Sequence, residues 1–487
     1  MCLCWGISAA AQPGTHFRFT DRCTQAYQQL TALKTVPATR LLAAEKAADP
    51  ANLAPILLES YADFFQLFFN EDPAYYQQAW PRYEQRLAQL AKGPDTDPFT
   101  RFAQAVVHLH MAAISIKFDK RWAAGWHFRD AFKLVKANGQ RFPQFSPNLM
   151  LLGPLQMAAA TIPKGMRWLS GIMGISGSMA EGKALMDRFM AAPDGWARFF
   201  RNEGIFYQCY LQAYLLNEPL PALQFIQQQQ LDVKGNHLFA FMAANLHLNN
   251  QRSLQTQQIV QNRILGPDYL ATPVWDFEMA YARLYQLQPD AGTYFHRFLS
   301  QFRGKVYLKD AWLKLGYHYL LQGNKAKYRY CMQQVLTRGS TVTEADKRAQ
   351  KEAKLGREPN LLLLKTRLLT DGGYAREALN LLEGKNTNDF AEGTDRLEFT
   401  YRLGRIYEEL QQTERALRVY ENAMRLGANS TEYYAARAAL QCGLMMEKAG
   451  KCEEAQAYFQ RCIDFEDHDF EDALEQKAKA GQQRCSR

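Results

Sequence analysis

Residues 312–319 read WLKLGYHY, which sets Trp312, Leu315, Gly316 and Tyr319 at fixed offsets. The pattern returns farther on. Leu403, Gly404 and Tyr407 repeat the offsets, and Ala416 and Tyr420 follow where a second helix would present a small residue and an aromatic. In a further copy Cys442-Gly443 precedes a turn glycine, Gly450, and then Ala455 and Phe459; a weaker copy has Gly373 at the turn with Ala378 and Leu382 behind it. Two antiparallel helices need small residues where their backbones approach, and large ones such as Tyr407, Tyr420 and Phe459 to fill the space toward the next unit. No such unit buries its apolar face alone, so the units must stack.

The pattern resembles the tetratricopeptide repeat. From Gly404 to Gly443 the spacing exceeds the usual repeat of about 34 residues, which implies long inter-repeat turns such as residues 427–431. Upstream, eroded helix pairs read as 206–216 with 223–231 and 275–286 with 292–302, with Pro221 and Pro289 marking the turns. Over residues 12–200 helix breaks are expected at Pro37, Asp49-Pro50, Pro73, Gly93-Pro94, Gly139, Pro143 and Pro147. Helix formers dominate most windows and alternating β-branched runs are almost absent. The expected fold is all-α, a right-handed α-α superhelix of antiparallel helix pairs. Its parts are an atypical helical section at 12–200, degenerate helix pairs at 201–304 and tetratricopeptide repeats at 305–487.

The first residues, MCLCWGISAAAQ, are apolar up to Ile7, and Ala9-Ala10-Ala11 puts small residues where a signal peptidase reads, leaving Gln12 as the new amino terminus. A basic n-region is missing, so residues 1–11 read as a truncated signal-peptide remnant. The expected location is periplasmic or outer-membrane-associated, with a cytoplasmic chain as the alternative. No apolar run of about 18 residues exists. The nearest, 149–161, is broken by Pro154, followed by Pro163, and reads as a buried helix. Without Cys2 and Cys4 the chain keeps Cys23, Cys209, Cys331, Cys442, Cys452, Cys462 and Cys485. An odd number with no CxxC pair argues against a zinc site and against a fully paired framework. Cys442 and Cys462 fall on the two helices of one repeat, where a disulfide is conceivable but small core residues are the expectation.

Constellations that could carry chemistry are few. His108, His110 and His127 suggest a metal, but residues two apart on a helix face different ways, so no metal site is expected. The acidic cluster from Asp464 to Glu475 around His468 has no glycine turn and no calcium-loop spacing, and reads as a solvated face. Nucleophile elbows, P-loops and dinucleotide fingerprints are absent, so neither catalysis nor a cofactor is expected. Basicity is local: between residues 303 and 367 fifteen Lys and Arg stand against five Asp and Glu, a net of +10 beside +9 for the whole chain. Such a patch suits an acidic peptide or lipid headgroups, or the chain's own acidic tail. Nucleic acid is disfavoured for want of a groove-reading motif or stacking platform.

Residues 153–190 place Pro163, Gly174, Gly177, Gly182 and Leu185 in a glycine-punctuated apolar block. With Tyr307-Leu308-Lys309-Asp310 and Asp346-Lys347-Arg348-Ala349, this block resembles a tetratricopeptide family that includes the fungal inclusion body clearance protein and its animal relatives. Ser178 departs from it, standing where an acidic residue is expected. The whole chain also resembles exported tetratricopeptide proteins of Bacteroidetes-type bacteria, which implies an envelope location and an all-helical fold and carries no catalytic residues. The expected function is a scaffold that binds a protein or peptide on a concave face of first helices, through Lys314, Lys325, Lys327, Arg329, Arg402 and Arg405. The alternative is a lipid-handling or peripheral membrane factor using the apolar block 149–175, with Trp168, Ile172 and Met173 as its contacts. Oligomeric state is left open.

Overall fold

The computed structural model describes residues 14–161 and 174–486. Among the described residues there are 25 α-helices and no strand beyond an isolated bridge between His16 and Asn52. The segment 1–11 and Pro163, Trp168, Ile172 and Met173 lie outside the described residues.

The N-terminal section comprises α1 (Asp21–Thr31), α2 (Thr35–Ala48), α3 (Ala54–Asn70), α4 (Pro73–Leu90), α5 (Pro98–Lys117), α6 (Arg121–Arg141), α7 (Pro147–Ala160), α8 (Met179–Ala191) and the short α9 (Gly195–Phe199). Pro73, Pro98 and Pro147 open their helices, where a missing N–H costs nothing, and the Asp72 and Asp97 side chains cap the first turns of α4 and α5. These helices enclose one core, in which Tyr27, Tyr83, Phe102, Phe189 and Phe200 are fully buried. One expected break does not occur, since α6 runs through Gly139; α7, the buried helix expected over 149–161, runs through Pro154. Packing explains both. Asn138, wholly buried, ties α6 to the carbonyl of Pro98 and to the Asn148 side chain at 2.9 and 2.8 Å. Helix α7 is clamped against α8, where a Cβ on Gly153 would stand 2.9 Å from the Gly182 carbonyl, and this burial offsets the hydrogen bond lost at the proline. Ser178, the departure noted above, is the N-cap of α8 and accepts from the Glu181 N–H at 3.2 Å.

The middle of the chain forms α10 (Arg201–Tyr210), which passes into a π-helical turn at Leu211–Leu215, then α11 (Pro219–Gln228), α12 (His237–Leu248), α13 (Ser253–Gln261), α14 (Val274–Tyr285) and α15 (Ala291–Gln301). Pro289 lies in the turn between α14 and α15, whereas Pro221 sits in the first turn of α11. The α12/α13 pair escaped the sequence reading. Helix α12 is apolar all round and shows no amphipathic period to detect.

The C-terminal part pairs α16 (Leu308–Leu321) with α17 (Lys325–Thr337), followed by a single α18 (Glu344–Leu355). It then pairs α19 (Leu361–Gly372) with α20 (Ala375–Leu382), α21 (Gly393–Glu409) with α22 (Thr413–Leu426), and α23 (Tyr434–Lys448) with α24 (Cys452–Asp464), and α25 (Glu471–Cys485) closes the array. The small residues stand at the crossings: a Cβ on Gly316 would meet Met332 at 2.7 Å, one on Gly404 the Tyr420 ring at 2.6 Å, and one on Gly443 the Phe459 ring at 2.5 Å. Ala416, Tyr420, Ala455 and Phe459 have no exposed surface. The turn glycines Gly373 and Gly450 adopt φ of 88° and 74°, the left-handed region that side chains avoid. First helices pack on one another in succession, α10, α12, α14, α19, α21, α23 and α25, with α16 wedged between α14 and α19. The molecule is therefore an all-α solenoid of antiparallel helix pairs behind a more compact helical section.

Candidate functional site on the inner helices

The layer of first helices is where a solenoid presents a continuous face, and it carries most of the titratable groups that burial perturbs. Against it stands Glu352 of the single helix α18, whose carboxylate accepts from Tyr317 Oη and from Arg348 Nε at 3.0 Å, with Arg367 Nη1 at 3.7 Å. Burial pushes this carboxyl up, but Arg367 and Arg348 together with the Tyr317 hydroxyl outweigh it and hold it at about 2. Nearby, Tyr281 Oη donates to Asp310, which also pairs with Lys314 at 3.6 Å.

Of the six basic residues singled out in the sequence, three lie in this layer, each held by a neighbour. Lys314 and Arg402 are only 8% and 5% exposed. Both Nε and Nη2 of Arg402 donate to Glu398 Oε1 at 3.1 Å, and its guanidinium lies over the Tyr401 and Tyr434 rings. Arg405 pairs with Glu408 at 3.4 Å and Glu409 at 3.2 Å. Lys325, Lys327 and Arg329 sit on α17, a second helix, and are exposed. Lys325 and Arg329 share Glu358 at 2.6 and 3.7 Å, and Lys327 Nζ lies 4.9 Å above the Tyr319 ring. The six are thus divided between the first-helix layer and α17, because residues 324–329 open the second helix of their pair.

Part of the local basicity of 303–367 is answered within the chain. Besides the pairs above, Lys351 Nζ bonds Asp469 in the C-terminal acidic cluster, and Arg357 bonds Asp395. Two other cations are not answered. Tyr434, Arg437 and Gln441, three and four residues apart, share the face of α23 that meets α21, where Gln441 Nε2 donates to Glu408 at 3.1 Å. Arg437 Nε is buried without a hydrogen-bond partner, and Arg367 Nη2 is in the same state. On α25, burial together with the Arg437 charge lowers the Lys477 ammonium to about 8. Among the described residues no carboxylate pairs with Arg437 or Lys477. Two neighbouring half-buried cations without a counter-ion make a site that can accept an anion.

The remaining candidates resolve into structure. His110 bonds Ser60 Oγ at 3.2 Å inside the core, while His108 and His127 bring their Nδ1 atoms to 3.0 Å. Among the described residues no three His, Cys, Asp or Glu side chains converge as metal ligands would. Cys442 and Cys462 are buried free thiols, pushed up by burial to beyond the usual range for the first and to about 12 for the second. No described helix is long and apolar enough to cross a membrane. The sequence reading missed Arg437 and Lys477, whose spacing along the chain gives no hint that α23 and α25 bring them together. No protein-family model matches the chain, and no curated protein matches it.

Proposed function

We propose that the chain is a non-catalytic interaction scaffold of the tetratricopeptide type, whose inner layer of helices binds an acidic segment of a partner protein. The observation that carries this reading is the pair Arg437 and Lys477. The Arg437 charge disfavours the half-buried Lys477 ammonium, and a carboxylate placed between the two relieves both that repulsion and the unfilled Arg437 Nε–H. Arg367 Nη2 offers a further donor on the same layer, so a segment carrying several carboxylates suits it better than a single anion.

Titration calorimetry with a hexaglutamate peptide tests the reading. The wild type binds; R437E/K477E loses binding, and K325E/K327E/R329E on the outer helix α17 retains it. Loss in the outer variant with retention in the inner one overturns the assignment.

The envelope location belongs to the same proposal and rests on Ala9-Ala10-Ala11 before Gln12. Sequencing the amino terminus of the protein from fractionated cells checks it. An envelope fraction beginning at Gln12 supports export, and a cytoplasmic chain retaining Met1 contradicts it.

A further inference from the structure

A pocket of about 300 Å³ lies where the N-terminal section meets the middle of the chain, between α3, α5, α6, α7, α10 and α12. Its wall is aromatic. Phe64, Phe65, Phe68 and Phe69 lie on one side of α3 at offsets of one, four and five residues, and Phe128 of α6 and Phe206 of α10 are the other phenylalanines of the lining. At Leu211, another lining residue, the α-helical ladder of α10 gives way to the π turn, a distortion that recurs at functional sites in helices.

Polar groups on the wall are already satisfied. The buried Glu203 carboxylate accepts from Tyr27 and Tyr61 at one oxygen and from Tyr207 at the other, each at 2.9 Å. His110 is bonded to Ser60 Oγ, and burial lowers it to about 3, so its ring is neutral. No lysine or arginine lines the pocket among the described residues. An anionic head inside it would find no counter-ion and would face Glu203.

Protein interiors pack as densely as organic crystals, and a void with phenylalanine walls forfeits the dispersion contacts that an occupant restores. An engineered apolar cavity of about 150 Å³ stays dry and takes benzene, so twice that volume suits roughly ten carbons. We propose that this pocket holds a single uncharged hydrocarbon chain of about ten carbons, a role independent of the scaffold reading.

Full-length protein titrated with 1-aminonaphthalene, a neutral ten-carbon dye whose fluorescence rises and shifts to the blue when buried, tests this. The expected result is one saturable site per chain, from which 1-decanol displaces the dye and decanoate does so about tenfold less well, since an unpaired buried charge is penalised. Displacement by phosphatidylcholine vesicles would identify a membrane lipid's chain as the source, and displacement by 1-decanol alone a free neutral molecule. Ala113→Phe and Ala158→Phe each fill the pocket and abolish dye binding while the helical circular dichroism and melting temperature are kept or raised. Two substitutions on different helices guard against one failing to fold, and Ala158→Leu is a milder third. Absence of a saturable site, dye binding unchanged in the filled variants, or equal competition by decanoate overturns the proposal.

Discussion

The ring of Tyr420 lies across the backbone of Gly404, and a Cβ at that glycine would stand 2.6 Å from two of its carbons. The ring cannot retreat. It is fully buried, and its hydroxyl donates to Glu408 at 2.5 Å while Gln441 of the next unit reaches the same carboxylate. Closeness within one helix pair and registry between pairs are thus set by the same side chain.

Gly404→Ala is therefore expected to cost about 1–3 kcal/mol, as overpacking a full core does. Gly393, at the first position of the same helix, has nothing within 4 Å of its missing Cβ. Gly393→Ala should be neutral or stabilising by up to about 1 kcal/mol. Urea unfolding of both variants checks the contrast, and equal losses would contradict it.

Glu352 makes the solenoid sensitive to acid. Its folded value of about 2 lies below that of an unfolded glutamate, so its contribution is present above about pH 4.5 and is lost as pH falls toward 2. The loss is expected to be about 2 kcal/mol, discounted for the partial exposure of the carboxylate. In Glu352→Gln this acid-dependent step should vanish, with lower stability already at pH 7 because Arg348 and Arg367 lose their partner. Stability measured from pH 2 to pH 7 in both proteins decides it.

Glu278 acts in the opposite sense. It is buried on α14 with only the Asn245 amide donating to it at 3.0 Å, and burial pushes it up to about 7. The folded state holds this proton longer than the unfolded state, so stability falls as pH rises from about 4.5 through 7, by about 3 kcal/mol at most. Glu278→Gln should flatten that slope and stabilise the protein at pH 8. A variant less stable than wild type at pH 8 would refute the account of this residue.

Cysteine oxidation offers a separate check. The Cys485 thiol lies against that of Cys452, and burial followed by the Cys452 contact pushes it up to about 11. The other five described cysteines are buried. Diamide, which takes two electrons and two protons from a thiol pair, should join Cys452 to Cys485, with peptide mapping by mass spectrometry as the readout. A Cys442–Cys462 bridge would contradict this.

The helix pairs were legible where a small residue and its large partner stand at fixed offsets, as in Gly316, Gly404 and Gly443, because close approach leaves few residue choices. Helix α12 was illegible because its apolar face runs all round, whereas the buried helix expected over 149–161 is α7, in which packing against α8 overrides Pro154. Charge was misleading for a related reason. A run of lysines and arginines along the chain says nothing of what lies opposite: Asp395 and Asp469, far along the sequence, pair with Arg357 and Lys351 of that run. The unanswered cations, Arg437 and Lys477, come from segments with no excess of charge. The aromatic pocket did have a signal, FFQLFF at residues 64–69, but such a run reads equally well as ordinary core.

The most direct test of the scaffold reading is the affinity for hexaglutamate at pH 7 and pH 9. An anion bound between Arg437 and Lys477 needs the Lys477 proton, which leaves at about pH 8, so binding should weaken about tenfold over that interval. Lys477→Met should bind weakly with no such dependence. Equal affinity of the wild type at the two pH values, or an unchanged pH dependence in Lys477→Met, would contradict the claim that this pair receives the partner's carboxylates.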